Sequence, residues 1–191
     1  RIHLLQRYDR PYYFGIDALC DASSENAEQF LQLAARLVSQ SETQLIRAKA
    51  PTLRSGMQHK LLRERATEMV RKWDFPQQQL VGRLSDGIAR ECVKKSVEGN
   101  APLGGGATAF GIPQDEFDAI PASHPDLARV LQFGVAYNAF VLVPDHGTKK
   151  RKWCLIELGG VLLLHHGLTL KRGGFLERRA DDLLRLLDEV P

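Results

Sequence analysis

Two groups of basic residues give the clearest indication of a binding function in this sequence. Four consecutive cations, Lys149, Lys150, Arg151 and Lys152, follow a segment of turn-forming residues. Four more lie in a segment with helical periodicity: Arg63, Arg65, Arg71 and Lys72. Such cations can contact phosphate oxygens and release counterions, which gives sequence-independent, salt-sensitive binding to nucleic acid. A solvated surface without a ligand is the alternative explanation of both groups.

Other residue types that could do chemistry form no recognisable site. His165 and His166 are adjacent, so their side chains point in different directions on a helix or a strand. No Cys, Asp or Glu stands close to them at the spacing of metal ligands. Cys20, Cys92 and Cys154 are far apart and form no C-x-x-C pair. We therefore predict no metal site, and we expect the cysteines to be buried thiols in a reducing compartment.

No catalytic motif is complete in this chain. The run Gly104 to Gly106 lacks the lysine of a phosphate-binding loop, and a strand rather than a helix is expected after it. There is no G-x-S-x-G motif, and the pair Asp181 and Asp182 stands beside arginines, as on a solvated helix face. The sequence thus predicts no catalytic residue and no cofactor in this chain, and it leaves open whether the whole protein is an enzyme.

Hydrophobic periodicity predicts a mainly helical fold with a small β-hairpin. Helices are expected over residues 26–40, 59–73, 77–97, 125–139 and 175–190, and strands over 107–112, 140–143 and 152–158. The last two strands then form a hairpin with a long basic tip, and the type of element over 161–164 stays open. Helices followed by such a hairpin are typical of a winged helix, in which helix 59–73 should pack beside the hairpin.

Composition along the chain indicates where it divides. The polar stretch containing Pro51 and Gly56 predicts a linker over residues 44–57, between a helical region over 1–43 and a winged-helix-like domain over 58–191. The longest apolar run is far shorter than the ~20 residues that a membrane span needs, and no signal peptide is visible. We expect a cytoplasmic protein without membrane contact, and the missing initiator methionine suggests a part of a longer chain.

Several short segments carry a family resemblance. They are Ser24 to Leu31 (SENAEQFL), the pair Gln58 and Thr67, Phe110 to Pro113 (FGIP) and Trp153 to Leu158 (WCLIEL). With them, from about residue 12 to 186, the sequence resembles the C-terminal half of bacterial AAA+ ATPases related to the Orc1/Cdc6 initiator family. The resemblance implies that residues 1–43 are a remnant of the helical lid and that a winged helix follows. It also implies DNA as a partner, and a separate ATPase core that binds ATP and Mg²⁺ and forms oligomers.

One position departs from the family pattern. The place of the sensor-2 arginine holds Glu28, or Ala27 with a shift of one residue. In the family an arginine there lies near the γ-phosphate of ATP, whereas a carboxylate repels a phosphate. The resemblance therefore implies either a lid that does not contact nucleotide in the usual way or a degenerate ATPase.

These observations lead to one functional hypothesis and one alternative. We expect an accessory C-terminal region of an AAA+ ATPase that binds the DNA backbone through the hairpin tip, supported by the basic helix. The alternative is a winged helix that docks a partner protein without binding nucleic acid. An exposed apolar patch beside the hairpin would favour that alternative.

Overall fold

The computed structural model describes Tyr8 and residues 10–98, 106–148, 151–171 and 173–188, and this part of the chain is mainly helical with a small sheet. The helices are α1 (Gly15–Ser23), α2 (Ala27–Ile46), α3 (Ser55–Arg71), α4 (Gln78–Ser96), α5 (Gln114–Ser123), α6 (Pro125–Ala136), α7 (Gly160–His166) and α8 (Ala180–Asp188). The strands are β1 (Ala107–Pro113), β2 (Phe140–Thr148), β3 (Arg151–Leu158) and β4 (Gly174–Glu177). The predicted fold class is confirmed. Within the described ranges, no helix has the length and apolar character needed to cross a bilayer.

The four strands form one sheet in the order β2-β3-β1-β4. β3 pairs antiparallel with both β2 and β1, and β4 lies parallel to β1 at the edge. The β2–β3 register shifts by one residue between Val143 and His146, so Pro144 and Asp145 together oppose Cys154 as a β-bulge. Proline has no amide hydrogen for a ladder and Asp145 has a φ of 55°, which explains the irregularity. The predicted turn at this place is wrong, because β2 continues beyond the bulge.

The larger core lies between the sheet and helices α4, α5, α6 and α8. Leu84 and Ile88 of α4 are fully buried against Phe110 of β1 and Ile156 of β3. The four-residue spacing of the two α4 residues puts them on one helix face, which is why α4 is the central helix of this core. Burial of each such side chain contributes about 1.5–3 kcal/mol to folding.

A smaller core is enclosed by α1, α2, α3 and α7. Tyr13, Leu33 and Leu62 are fully buried there, and the Tyr13 hydroxyl donates to the carbonyl oxygen of Leu168 at 2.6 Å. Burial raises the pKa of Tyr13 far above its ordinary value. Helix α3 thus packs with the helices that precede it, and residues 44–46 are the last turn of α2 rather than linker. The predicted division at residues 44–57 therefore does not separate the two cores.

The junction between β3 and α7 ties the two cores together. β3 ends at Leu158 and α7 begins at Gly160, so Gly159 alone joins the strand to the helix. A Cβ atom on Gly160 would overlap the carbonyl oxygen of Ala22, and one on Gly159 would overlap the carbonyl oxygen of Asn138. The first amide of α7, that of Gly160, donates to the Ser24 hydroxyl at 2.7 Å. Glycine is required here because two backbones meet, and α1 docks directly on the end of the sheet.

Two elements near the sheet differ from the prediction. Helix α5 was not expected, because its sequence QDEFDAIPAS has weak apolar periodicity and contains Pro121. The last helix begins at Ala180 rather than at residue 175, because Phe175 pairs with β1 as part of β4. The amide of Ala180 donates to the Glu116 carboxylate at 2.6 Å, and this side chain caps the start of α8.

Candidate nucleic-acid interface

The β2–β3 hairpin carries the four consecutive cations that were predicted to contact DNA. Thr148 pairs with Arg151, so the two strands are joined by two residues, Lys149 and Lys150, which lie outside the described residues. Arg151 and Lys152 are exposed at the start of β3. The predicted long tip is therefore a short connection, and half of the cations are carried by a paired strand.

The hairpin is held to the rest of the sheet beyond the bulge. Trp153 is buried and pairs with His146 across the two strands. The Phe175 ring of β4 contacts both side chains, with centroid distances of 5.6 Å to Trp153 and 5.7 Å to His146. These aromatic contacts fix the base of the hairpin. Arg151 and Lys152, which directly precede Trp153, therefore lie on an ordered strand.

The bulge places one carboxylate beside the basic residues. Asp145 accepts a hydrogen bond from the Lys152 ammonium at 2.8 Å, and this bond, with the charge of Asp145, raises the pKa of Lys152. The backbone amide of Asp145 donates to the Gln114 side chain at 2.9 Å, which in turn donates to Asp118. Lys152 therefore stays protonated over the physiological range, and Asp145 offsets part of the positive charge of the hairpin.

The cations of α3 are placed differently. Arg63 donates to the carbonyl oxygens of Leu164 and His165 at the end of α7, at 3.3 and 3.4 Å. Arg65 donates to Glu68 at 3.2 Å and to Gln32 of α2 at 3.0 Å. Both guanidinium groups thus bind groups of the protein itself, and they join α3 to α7 and α2.

Helix α3 does not lie where the sequence predicted. Its main packing partners are α7 and α2, not the β2–β3 hairpin. Arg71 and Lys72 are exposed at its C-terminal end, where cations interact favourably with the helix dipole. Of the four predicted α3 residues, only these two are exposed to solvent.

Helices α5 and α6 form an acidic surface next to the hairpin. Asp115, Asp118 and Asp126 are exposed, and Glu116 is half-buried. Arg129 is the one lysine or arginine between residues 114 and 136. A phosphate backbone is repelled by such a surface, so α6 is poorly suited to enter a DNA groove.

An apolar groove of about 380 Å³ lies between α5, α6 and β2. Its lining consists of apolar side chains and one amide: Phe117, Ile120, Pro121, Ala128, Leu131, Gln132, Val135, Ala136 and Leu142. The sequence did not predict this groove, because α5 was not expected. One signal was present in the sequence: α6 has more apolar residues than one helix face can bury, and Val135 is 39% exposed.

The adjacent histidines are structural groups in the described part of the protein. His165 Nδ1 lies 2.9 Å from the Thr67 hydroxyl, and His166 Nε2 lies 3.3 Å from the Asp86 carboxylate. Burial lowers the pKa of His165, and the charges of His166 and Arg63 act in the same direction. No group of three or more metal-ligating side chains occurs among the residues that the structure describes.

The segment from Ser24 to Leu31 contains the start of α2. Asn26 caps α2 by accepting from the amide of Gln29 at 2.9 Å. Glu28 is exposed in the first turn of the helix and accepts a hydrogen bond from Gln32. The start of α2 thus presents a carboxylate to solvent.

No protein family, no curated protein and no solved structure matches this chain.

Proposed function

We propose that residues 78–158 form a winged helix that binds the phosphate backbone of duplex DNA through the β2–β3 hairpin. The order of elements supports this proposal, because a winged helix has helices followed by a β-hairpin. Here α4, β1, α5 and α6 precede the hairpin, and β3 lies between β2 and β1 in the sheet. The observation that carries it is the run from Lys149 to Lys152 at the end of a hairpin anchored by Trp153. Contact with phosphates alone carries no sequence information, so we propose binding without base specificity.

The acidic charge of α5 and α6 determines which part of the winged helix faces DNA. In many winged and helix-turn-helix proteins the second helix of the pair enters the major groove. Here that helix is α6, which has Asp126 at its start and Arg129 as its one cation. We place the hairpin against the backbone and α6 away from it. Arg71 and Lys72 of α3 are secondary phosphate contacts, whereas Arg63 and Arg65 serve the internal structure.

Salt-dependent binding tests this assignment. Neutralising about four phosphates gives a slope of about −3.6 in a plot of log affinity against log salt, so affinity should fall about 150-fold between 50 and 200 mM. We expect Arg151→Ala with Lys152→Ala to flatten the slope by about 1.8. Fluorescence anisotropy with a labelled duplex of arbitrary sequence measures both quantities.

Two further variants sharpen the test. Lys94→Ala with Lys171→Ala removes the same charge from exposed positions outside both basic groups and should leave the slope unchanged. Asp145→Asn removes the carboxylate beside Lys152 and should tighten binding, by up to about threefold. An unchanged slope in the hairpin variant, or an equal change in the control, would overturn the hairpin as the DNA contact.

We further propose that this region belongs to an AAA+ ATPase, with ATP and Mg²⁺ bound in a separate core. The segment from Ser24 to Leu31 and its position at the start of α2 support this assignment. The test is the full-length protein: a G-x-x-x-x-G-K-[S/T] motif upstream of residue 1 is expected. Because Glu28 stands at the place of the arginine, charge reversal of Glu28 should not reduce ATP hydrolysis in that protein.

Docking of a partner protein is the second candidate, and the apolar groove between α5, α6 and β2 favours it. The same two helices carry exposed carboxylates, including Asp118 and Asp126, and this negative charge suits a basic amphipathic segment. The salt series separates the two candidates. Duplex binding that depends on Arg151 and Lys152 supports the first, whereas an intact chain that binds no duplex at 50 mM salt supports the second.

A further inference from the structure

Helix α2 has a second apolar face that the described residues leave exposed. Leu31, Val38 and Leu45 follow one another at intervals of seven residues and are 65%, 56% and 57% exposed. Ile46, at the end of the helix, is 86% exposed. An interval of seven residues returns a side chain to nearly the same direction, so the three form one stripe along the helix.

The opposite face of α2 covers the smaller core, as one face of a surface helix normally does. Leu33 is fully buried in the smaller core, and Phe30 and Leu37 pack against that core. A helix that covers a core needs only one apolar stripe, and the outward face is normally polar. The packing of the described residues therefore does not account for the stripe from Leu31 to Leu45.

The charges at the two ends of α2 indicate what covers the stripe. Glu25 and Glu28 stand at the start of the helix, and Arg47 and Lys49 stand just after its end. Val38 is ten residues after Glu28 and nine before Arg47, which is about 15 Å and about 13.5 Å along the helix axis. The stripe is thus centred on Val38, with Glu25 and Glu28 at one end and Arg47 and Lys49 at nearly equal distance at the other. Glu42, exposed one turn after Val38, offsets part of the positive charge of the second end.

We propose that α2 pairs with α2 of a second copy of this chain, in antiparallel orientation about a twofold axis near Val38. In this arrangement Leu31 of each copy packs close to Leu45 of the other, and the acidic end of each helix lies opposite the basic end of its partner. The two helix dipoles are also antiparallel, which is favourable. A parallel pair would bring Glu28 against its own copy and is disfavoured.

The twofold axis makes Val38 the most sensitive position. Each Val38 faces its own copy, so Val38→Glu brings two carboxylates together with a single substitution. Val38 is 56% exposed in the single chain, so the substitution leaves the core intact. Val135→Glu on α6 is the matched control, because Val135 is also a half-exposed valine on a helix and lines the apolar groove.

Sedimentation velocity over about 5–200 µM protein gives the oligomeric state. We expect a concentration-dependent dimer for the unmodified chain and for Val135→Glu, and a monomer for Val38→Glu. Leu45→Glu is a second stripe variant, and circular dichroism checks that each variant is folded. A monomer at every concentration for the unmodified chain would overturn the proposal. So would a dimer that survives Val38→Glu but is lost in Val135→Glu, because that result assigns the contact to the groove.

Charge exchange tests the orientation separately. Glu25→Lys with Glu28→Lys, or Arg47→Glu with Lys49→Glu, should each weaken the dimer by about threefold to tenfold. Combining all four substitutions restores the opposite charges across an antiparallel pair and should return the dimer to near its original strength. If each set weakens the dimer and the combination weakens it further, the antiparallel arrangement is wrong.

Discussion

Helix α3 and the β2–β3 hairpin look alike in sequence, since each region carries four predicted contact cations, yet the structure uses them differently. On α3, Arg63 binds the end of α7 and Arg65 binds α2. On the hairpin, Arg151 and Lys152 are exposed, and Lys152 forms an ion pair with Asp145. The same residue types thus stabilise the fold in one region and remain accessible to a ligand in the other.

This difference shows that a count of charged residues does not reveal which groups each cation contacts. A cation becomes structural when unsatisfied carbonyl oxygens at a helix end lie within its reach, as those of α7 do for Arg63. Such oxygens come from distant parts of the chain, 101 residues away in this case. Charge density alone therefore predicts a binding surface equally for both regions, and only the packing partners separate them.

The largest effect is expected at the base of the hairpin. Trp153→Ala removes a buried aromatic side chain that contacts Phe175, and it should lower the free energy of unfolding by about 3–5 kcal/mol. Urea denaturation measures the change. Phe14→Ala, at a position 48% exposed, is the control and should stay within about 0.5 kcal/mol. A loss below about 1 kcal/mol for Trp153→Ala would show that the hairpin is not anchored through this side chain.

An intermediate effect distinguishes the two basic regions directly. Arg63→Ala leaves carbonyl oxygens of α7 without their charged donor, and should lower the free energy of unfolding by about 1.5–3 kcal/mol. Arg151→Ala should change it by less than about 0.5 kcal/mol, because the side chain is exposed. Duplex binding should show the reverse order. Equal effects on stability would remove the distinction between structural and accessible cations.

The smallest effect concerns His165, which lies next to α3. Burial lowers its pKa most and the charge of His166 lowers it next; Asp86 raises it, and Arg63 and Arg71 lower it further, so the pKa is lowered overall. A pKa that is lower in the folded protein than the ordinary value of about 6.5 means that the neutral ring favours folding. That contribution is present above about pH 6.5 and is lost as the pH falls through the folded-state pKa.

Two measurements check this prediction. An NMR titration should place the pKa of His165 below about 6.5, and Arg71→Ala should move it upward because a neighbouring positive charge is removed. In denaturation experiments, stability should decline less between about pH 7.5 and 5.5 for His165→Gln than for the unmodified chain. A pKa of His165 above the ordinary value would contradict the charge environment described for α3.

Much of the fold follows from patterns within short segments of the sequence. The spacing of Leu84 and Ile88 places α4 almost to the residue, and β1 and β3 are close to their predicted bounds. Helix α5 and strand β4 could not be found in this way, because their residues take their structure from distant partners. Phe175, for example, looks like the start of an amphipathic helix until β1 is available to pair with it.

The candidate site is predictable only in part. The run from Lys149 to Lys152 is visible in the sequence, but the paired carboxylate Asp145 depends on the bulge in β2. The groove between α5 and α6 requires three elements to be placed together, and one of them is absent from the pattern. The exposed stripe on α2 shows the converse case. Its residues have ordinary helical spacing, and only the structure shows that Val38 faces outward.

The direct passage from β3 into α7 has a mechanical consequence. β3 is bonded along both edges, to β2 and to β1, and Gly159 and Gly160 continue it into a helix whose first amide is held by Ser24. A pull on Arg151 along the strand therefore loads two hydrogen-bonded ladders in shear rather than opening them one bond at a time. The force then passes through Gly160 into α1 and the smaller core, so a load on the hairpin is resisted by both cores of the protein.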